Sequence, residues 1–555
     1  MILNDEKKKE IFYFIIMFLL GVVYCAPRLF RADFPYCYPE DAEFHLNRLI
    51  GLENVWTSPI NYNSGSRLGS LVNVYYPWLT MYPMWIIYKM CGNLIVSLNI
   101  YTMFLTILTM YIVFFCFRKI CKDNIISFVC AVVYTFSAYR FADVFRRVAL
   151  GETISLAFLP IVVLGVYYIF ISDYKKWRTL FVGMTLIAYT HLLSLMLTSL
   201  FVGIVGLLLL IKADRKKERI RYFILSAFAS ALVSIGALCP IIATSMANNL
   251  KSPSGYTSQF LENTDSIVDI LINALFNEPT AHGVGLLIFI ILIANIILVS
   301  ADRNKKRRIT AILLSVVAVA LIVMTSSCMP WGMLSTIPVI SLIQFPWRLN
   351  AYATLFALLG FMVSFSSVDK EKKKTYICLG FCAISVFLTV LLFFRLNKDI
   401  NYILTDEYIV GNHEGKFDYT PSAYFEYFVS TGIDVHEDDY FVSGEKISSK
   451  HYNSKSGTYH YFTIEDIKKE DSVEMPLFWY STTHVLIDGE EVKTKITEKG
   501  TILLEPNKEG KIEIVVFNKY SPIIYLSWIV SFAVFVALFA KTGLNKLKIV
   551  KKTNK

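Results

Sequence analysis

The chain has 555 residues, 55% of them hydrophobic and 15% aromatic, with a formal net charge of +10 and a mean hydropathy of +0.50. Soluble domains are usually apolar in less than half their residues, so this balance excludes an ordinary soluble domain and predicts an integral membrane protein. The positive charge sits in short clusters between apolar runs rather than in one basic domain, which argues against nucleic acid as a partner and fits cytoplasmic loops.

Apolar runs long enough to span a bilayer recur along the chain. The first, 11–29, follows "MILNDEKKKE"; no small-residue cleavage site precedes the next polar loop, so it reads as a retained helix and not as a signal peptide. Further runs lie at 97–117, 125–140, 153–171, 177–191, 194–212, 222–246, 281–300, 309–327, 348–366, 375–395 and 521–541, about twelve crossings in all. With the N-terminus inside, "RKICK" (118–122), "DYKKWR" (173–178), "KADRKKERIR" (212–221), "DRNKKRR" (302–308), "DKEKKK" (369–374) and the tail "KKTNK" all fall on the cytoplasmic side. The aromatic stretch 75–90, with Pro77 and Pro83, is short; counted as a crossing it would put every later lysine cluster outside, so it reads as an interfacial helix.

The outside face then carries the long first loop (30–96), "YRFADVFRRVALGE" (139–152), a polar stretch at 247–280, residues 328–349, and a soluble segment from 396 to 520. Within that segment, 473–517 alternates apolar and polar residues, with turns at "DG" (488–489) and "KEG" (508–510), and predicts an antiparallel β unit. The expected architecture is a mostly α, polytopic membrane bundle (1–395), a small extracytoplasmic β-rich domain (396–520), and a last helix with a basic tail (521–555). Ten cysteines are scattered without CxxC spacing and none lies in 396–520, so no disulfide framework holds that domain.

Ionisable residues at the outer ends of membrane helices are costly to desolvate and therefore informative. "YPEDAEFHLNRL" (38–49) puts Asp41, His45 and Arg48 at i, i+4 and i+7, on one helix face, with Pro39 suited to the first helical position and Glu40 and Asp41 in the first turn, where the dipole favours carboxylates. An interfacial helix whose charged face meets water would have the same spacing. Arg140, Arg146, Arg147 and Glu152 share one external loop, against the inside bias for positive charge. Arginine suits phosphate through planar, multi-donor geometry, although anchoring to anionic headgroups would also use it. Arg348, after Pro346 and Trp347, sits at the mouth of a helix, where an ion pair is the plainer role. His191 lies near the end of a short helical hairpin, where histidine is more often a structural hydrogen-bonder. Walker A, GxGxxG after a strand, HExxH and zinc-like His/Cys spacing are all absent, so no metal or cofactor is predicted.

Several stretches resemble the bacterial membrane proteins called 6-pyruvoyl-tetrahydropterin synthase-related, kin to the YfhO-type family and within the GT-C superfamily of membrane glycosyltransferases. They are "DAEFHLNRL" (41–49), "RVALGETISLAFLPIVVLGVYYIF" (147–170), "YTHLLSLML" (189–197), "LIQFPWRLNAYATL" (342–355) and "VEMPLFWYSTTHVLIDGEEV" (473–492). The resemblance implies a GT-C-like bundle and a glycosyltransferase that moves a sugar from a polyprenyl-phosphate-linked donor to an extracytoplasmic envelope polymer, lipid or protein, in the plasma membrane of a bacterium. It makes Asp41 the catalytic base, with His45 and Arg48 beside it. Arg147 with Glu152 and Arg348 with Gln344 would serve the donor phosphate, joined by Arg140 and Arg146; Glu40, Glu43 and His191 are supporting positions. Pterin chemistry would need a histidine triad, which the chain lacks. A flippase for lipid-linked saccharide and a non-catalytic envelope assembly factor are the competing readings.

Overall fold

The computed structural model describes residues 5–36, 41–250, 262–279, 283–398, 400, 402–411, 419–448 and 450–553. Each of the twelve apolar segments carries a helix, and these helices differ in length and hydropathy. Among the described residues eight helices are long and apolar enough to cross a membrane: Leu94–Cys121, Leu150–Phe170, Leu192–Ile211, Lys216–Ala247, Lys305–Met324, Pro346–Phe365, Glu371–Leu396 and Pro522–Ala540. A ninth arises if Asn124–Thr135 and Ala138–Arg146, bent by 45°, count as one span. Arg178–Ala188 has only 11 residues, about 16 Å of helix and half the hydrocarbon thickness. Gly285–Ala301 has 17, and the Asp5–Cys25 helix opens on a charged DEKKKE. The aromatic stretch and the residues before it form Val72–Tyr75, a 3-10 turn at Leu79–Met81 and Tyr82–Cys91. The last has 10 residues, about 15 Å and too short to cross.

The chain forms two compact units. The first comprises Met1–Glu43, Ile86–Ser226 and Ser254–Asp406; the second comprises Phe44–Trp85, Ala227–Pro253 and Glu407–Lys555. The first is a helical bundle whose closest approach depends on small residues. A Cβ on Gly165 would fall 2.4 Å from Leu180 Cα, and one on Gly183 would fall 2.8 Å from Val162 Cγ2, so the Leu150–Phe170 and Arg178–Ala188 helices pack backbone to backbone. An antiparallel ribbon pairs Asp33–Tyr36 with Tyr402–Thr405. Directly after it, the Asp406 carboxylate accepts from Leu94 N (2.7 Å) and Ile95 N (3.2 Å), capping the helix that starts there.

The second unit holds two five-stranded sheets. One orders Lys495–Ile496, Thr501–Leu504, Val473–Phe478, Phe441–Val442 and Glu445–Lys446; the other orders Lys450–Asn453, Tyr459–Ile467, Gly510–Asn518, Thr483–Ile487 and Glu490–Val492. The expected "DG" turn joins Thr483–Ile487 to Glu490–Val492, with Asp488 (φ 51°) and Gly489 (φ 86°) both left-handed as a type I′ hairpin requires. The boundary 396–520 needs correction, because this unit is discontinuous in sequence. Ile60, Tyr62, Leu68, Leu71 and Val74 of the first loop share a core with Phe462, Met475, Val485, Ile514 and Val516. Tyr62 N donates to Gly457 O (2.8 Å), and Asn61 Nδ2 donates to Ser456 O (3.0 Å). A loop with that much apolar area gains more by completing a β core than by lying in water.

Candidate active site

The site of the first unit grows out of an irregular turn. After the bend, residues Ala142–Arg146 form a π-helical turn, with Arg147 N donating to Ala142 O (2.8 Å) and Ala149 N to Asp143 O (2.9 Å). Val148 then takes φ 56°, unusual for a β-branched residue, and the next helix begins at Leu150. "YRFADVFRRVALGE" is therefore mostly helical and buried, not the open external loop expected. Across the site, Gln344 takes φ 63° just before the Pro346–Arg348 3-10 turn. Left-handed backbone at non-glycine residues costs about 1–3 kcal/mol, and both such strain and π-turns gather at functional sites.

This geometry converges charged side chains. Arg147 Nη1 lies 2.9 Å from Asp143 Oδ1 and 3.6 Å from Glu152 Oε2, and Nη2 lies 3.7 Å from Asp41 Oδ2. Arg348 Nε lies 3.4 Å from the same Glu152 oxygen, while its Nη1 donates to Ile343 O (2.8 Å) and Gln344 Oε1 (3.0 Å). Tyr139 Oη donates to Glu152 Oε1 (2.5 Å). Phe345 and Trp347 stack at 4.3 Å, and Arg147 lies 5.7 Å over the Trp347 ring. Glu152 stands in the first turn of its helix, where the dipole also favours a carboxylate.

Three carboxylates face two guanidiniums here, so the arginines are already neutralised, and an incoming anion would have to compete for them. Exposure separates the carboxylates: the Asp41 side chain is 43% exposed, against 0% for Asp143 and 5% for Glu152. Of the three, Asp41 is the one open to solvent. Its backbone N–H is pinned by Arg147 O at 3.1 Å. Glu152 Oε2 and Arg348 Nε face each other as an ion pair, and among the described residues Asp143 Oδ2 and Ser155 Oγ are buried without a hydrogen bond. Such atoms cost about 1–3 kcal/mol each and are normally satisfied.

Glu152, Ser155, Ser194, Thr198, Arg348 and Tyr352 line a polar cavity of about 10 Å³, space for roughly one water. Leu159, Thr198 and Tyr352 also line an apolar groove of about 290 Å³. Its walls come from the Leu150–Phe170, Leu192–Ile211, Lys305–Met324 and Leu349–Phe365 helices, and Leu159 to Ile171 along the first of these is about 18 Å. A charged cluster thus adjoins an apolar groove.

The remaining expected residues divide. Gln344 and Arg348 are in the cluster. His191 joins its margin: Nδ1 lies 2.8 Å from Oγ of the cavity residue Ser194, within electrostatic reach of Glu152. Arg140 does not join it. Its guanidinium donates to Thr135 O and Thr106 Oγ1, both at 3.2 Å, and lies 5.8 Å over the Tyr24 ring. Arg146 donates to Pro279 O (2.6 Å). On a helix that passes through a π-turn, neighbouring arginines cannot all face one way.

His45 and Arg48 belong to the second unit, whose boundary falls after Glu43. Arg48 is buried and bonded to Asn73 Oδ1 (3.2 Å), Tyr76 O and Pro77 O (both 3.1 Å) and His45 Nδ1 (3.0 Å). That set ties its helix to residues 73–77 and leaves little donor capacity for a substrate. Glu43 is half-buried on the same helix, and Glu40, with Pro39, lies outside the described residues. Among the described residues no group of three or more His, Cys, Asp or Glu side chains could hold a metal ion; the three carboxylates surround a guanidinium instead. Sequence reasoning missed Asp143, Tyr139 and Ser155. The Asp143–Arg147 pair is i, i+4 and would have been legible had 139–147 been read as helix.

Comparison with known proteins gives three results. No curated protein matches the chain. The single-particle cryo-EM structure of the arabinofuranosyltransferase AftD from mycobacteria is similar over 70% of this chain at 13% identity, with a TM-score of 0.42. The chain spans only 27% of that protein's length. The model of the 6-pyruvoyl-tetrahydropterin synthase related domain, described as a membrane protein, matches residues 74–403, and the chain belongs to that family.

Proposed function

We propose that the protein is a membrane glycosyltransferase that moves a sugar from a polyprenyl-phosphate-linked donor to a hydroxyl of an extracytoplasmic envelope acceptor. The observation that carries this reading is the junction of the Asp41–Arg147–Glu152–Arg348 cluster's polar cavity with the apolar groove, which share Leu159, Thr198 and Tyr352. A long hydrocarbon tail suits the groove, and the cavity, with room for about one water, would admit an ionic head once that head displaces Glu152 from Arg348. The groove takes the prenyl chain, and the donor phosphate competes with Glu152 and Asp143 for Arg348 and Arg147. Asp41, open to solvent, removes the proton from the acceptor hydroxyl. The acceptor oxygen bonds to the anomeric carbon as the bond to the lipid phosphate breaks, and the released electron pair stays on the phosphate oxygen beside the arginines. His191 is a positioning residue at the cavity margin. The site faces the outside of a bacterial plasma membrane, with both termini in the cytoplasm.

The test uses purified protein in liposomes with a radiolabelled polyprenyl-phosphate sugar and an envelope-derived acceptor. Wild type forms covalent product, and Asp41→Asn lowers its rate about a hundredfold or more while the protein stays folded. Movement of intact labelled lipid between leaflets without product would favour the flippase reading, and full transfer by Asp41→Asn would remove Asp41 as the base.

A further inference from the structure

The second unit contains a cavity of about 290 Å³ that the transfer reaction does not use. Its walls are Tyr427 of the Ser422–Thr431 helix, the 433–439 segment, Phe441, Glu474 with Pro476, and Lys499. The volume approaches the lower end of small-molecule sites. Two aromatic side chains and fixed polar groups share it. Lys499 Nζ lies 3.0 Å from Glu474 Oε1, 4.7 Å over the Phe441 ring and 5.8 Å over the Tyr427 ring.

The turn that presents Lys499 is tightly specified. Thr497 Oγ1 accepts from Lys499 N (3.2 Å) and Thr501 N (3.1 Å), and Gly500 N donates to Thr497 O (3.0 Å). Gly500 has φ +75°, and a Cβ there would stand 3.0 Å from Pro421 Cβ and 3.1 Å from Tyr424 N, so only glycine fits. The acceptors are held as well. Asp434 Oδ1 accepts from Tyr424 Oη and Val435 N, and Asp439 accepts from His436 N and Lys446 Nζ. Each carboxylate is fixed by protein donors while keeping acceptor capacity toward the cavity.

These walls discriminate between ligand classes. An anion would meet Asp434, Asp439 and Glu474 against Lys499 and His436. A bare cation would meet the Lys499 ammonium, and a hydrocarbon would cover the acceptor positions that Asp434, Asp439 and Glu474 still present to the cavity. A neutral polyhydroxylated ring has hydroxyls that both donate and accept, and a C–H face that lies against aromatic rings. We infer that this cavity is a saccharide-binding subsite for one or two neutral sugar residues, separate from the Asp41 cluster. It does not depend on the transfer reaction.

Full-length protein in lipid nanodiscs is examined by saturation-transfer difference NMR with maltotetraose, cellotetraose, chitotetraose and mannotetraose at millimolar concentration. At least one should receive saturation through its ring C–H protons, with binding weakened about tenfold in Tyr427→Ala and in Lys499→Gln. Lys499 is partly exposed, so Lys499→Gln decides the matter if Tyr427→Ala lowers the melting temperature. Asp41→Asn should bind like wild type even where transfer is lost, which separates this subsite from the proposed reaction. No saturation of any of the four sugars, or binding unchanged by Lys499→Gln, overturns the inference.

Discussion

Two buried arginines, Arg48 and Arg147, occupy opposite electrostatic settings. Arg48, in the second unit, spends its donors on Asn73, on the carbonyls of Tyr76 and Pro77 and on His45, and it lies 4.2 Å over the Tyr76 ring. Arg147, in the first unit, is shared by Asp41, Asp143 and Glu152, two of which keep a buried oxygen without a hydrogen bond among the described residues. A guanidinium on carbonyls closes a local fold, because neutral acceptors have no second protonation state and no partner to exchange. A guanidinium among carboxylates, beside a cavity and on strained backbone, is held in balance and can trade one anion for another. The same residue type is therefore structural in one region and a candidate for chemistry in the other.

The largest effect expected from this difference is in the buried ion cluster. Glu152→Gln removes a charge shared by Arg147 and Arg348 and should destabilise the first unit by about 3–5 kcal/mol, read as a lower melting temperature in detergent. Arg147→Met should do the same, since it strands Asp143 in the bundle. If Glu152→Gln is neutral, the cluster is not held by charge. Next comes Arg48→Met, which removes the donor shared by two carbonyls and Asn73 and should cost about 1–3 kcal/mol; transfer per folded molecule should stay close to wild type.

An effect that is absent at neutral pH and grows in acid belongs to the second unit. His460 bonds through Nδ1 to Asn453 Oδ1 and through Nε2 to Tyr440 Oη, both at 2.6 Å. Burial, with His451 nearby, pushes its pKa down to about 3. An unfolded histidine titrates near 6.5, so between the two values the unfolded chain takes up a proton that the folded one refuses. Stability from this group is complete above about pH 6.5 and falls by about 1.4 kcal/mol per pH unit toward pH 3. Thermal unfolding of wild type and His460→Gln across that range should give different slopes, and equal slopes would contradict the buried neutral histidine. Smallest is Gly489→Ala in the type I′ turn, where a left-handed alanine costs about 1 kcal/mol, seen as a modest fall in melting temperature.

The sequence carried the parts of this picture that depend on local pattern. Positive charge against the inside bias drew attention to Arg140, Arg146 and Arg147 alike, and the family resemblance put Asp41 forward as the acid. The "DG" turn and the alternation at 473–517 announced the β unit. What was not legible depends on tertiary partners. Arg140 and Arg147 look alike in "YRFADVFRR", and only the π-turn at 142–146 sends one toward Thr106 and the other toward Glu152. Asp41, His45 and Arg48 share a spacing, but the boundary between compact units falls among them. Residues 60–74 read as loop because their apolar groups complete a core whose other half lies some four hundred residues later. Arg178–Ala188 looked like a crossing because hydropathy does not reveal that its helix stops after 11 residues.

The most direct test of the central claim compares Asp41→Asn and Arg48→Met in one preparation. Each is reconstituted with a labelled polyprenyl-phosphate sugar, and initial transfer rates are divided by the amount of folded protein. The account predicts that Asp41→Asn melts like wild type and loses about a hundredfold or more in rate, whereas Arg48→Met melts lower and transfers normally per folded molecule. Full transfer by Asp41→Asn, or loss of transfer in folded Arg48→Met, would contradict it.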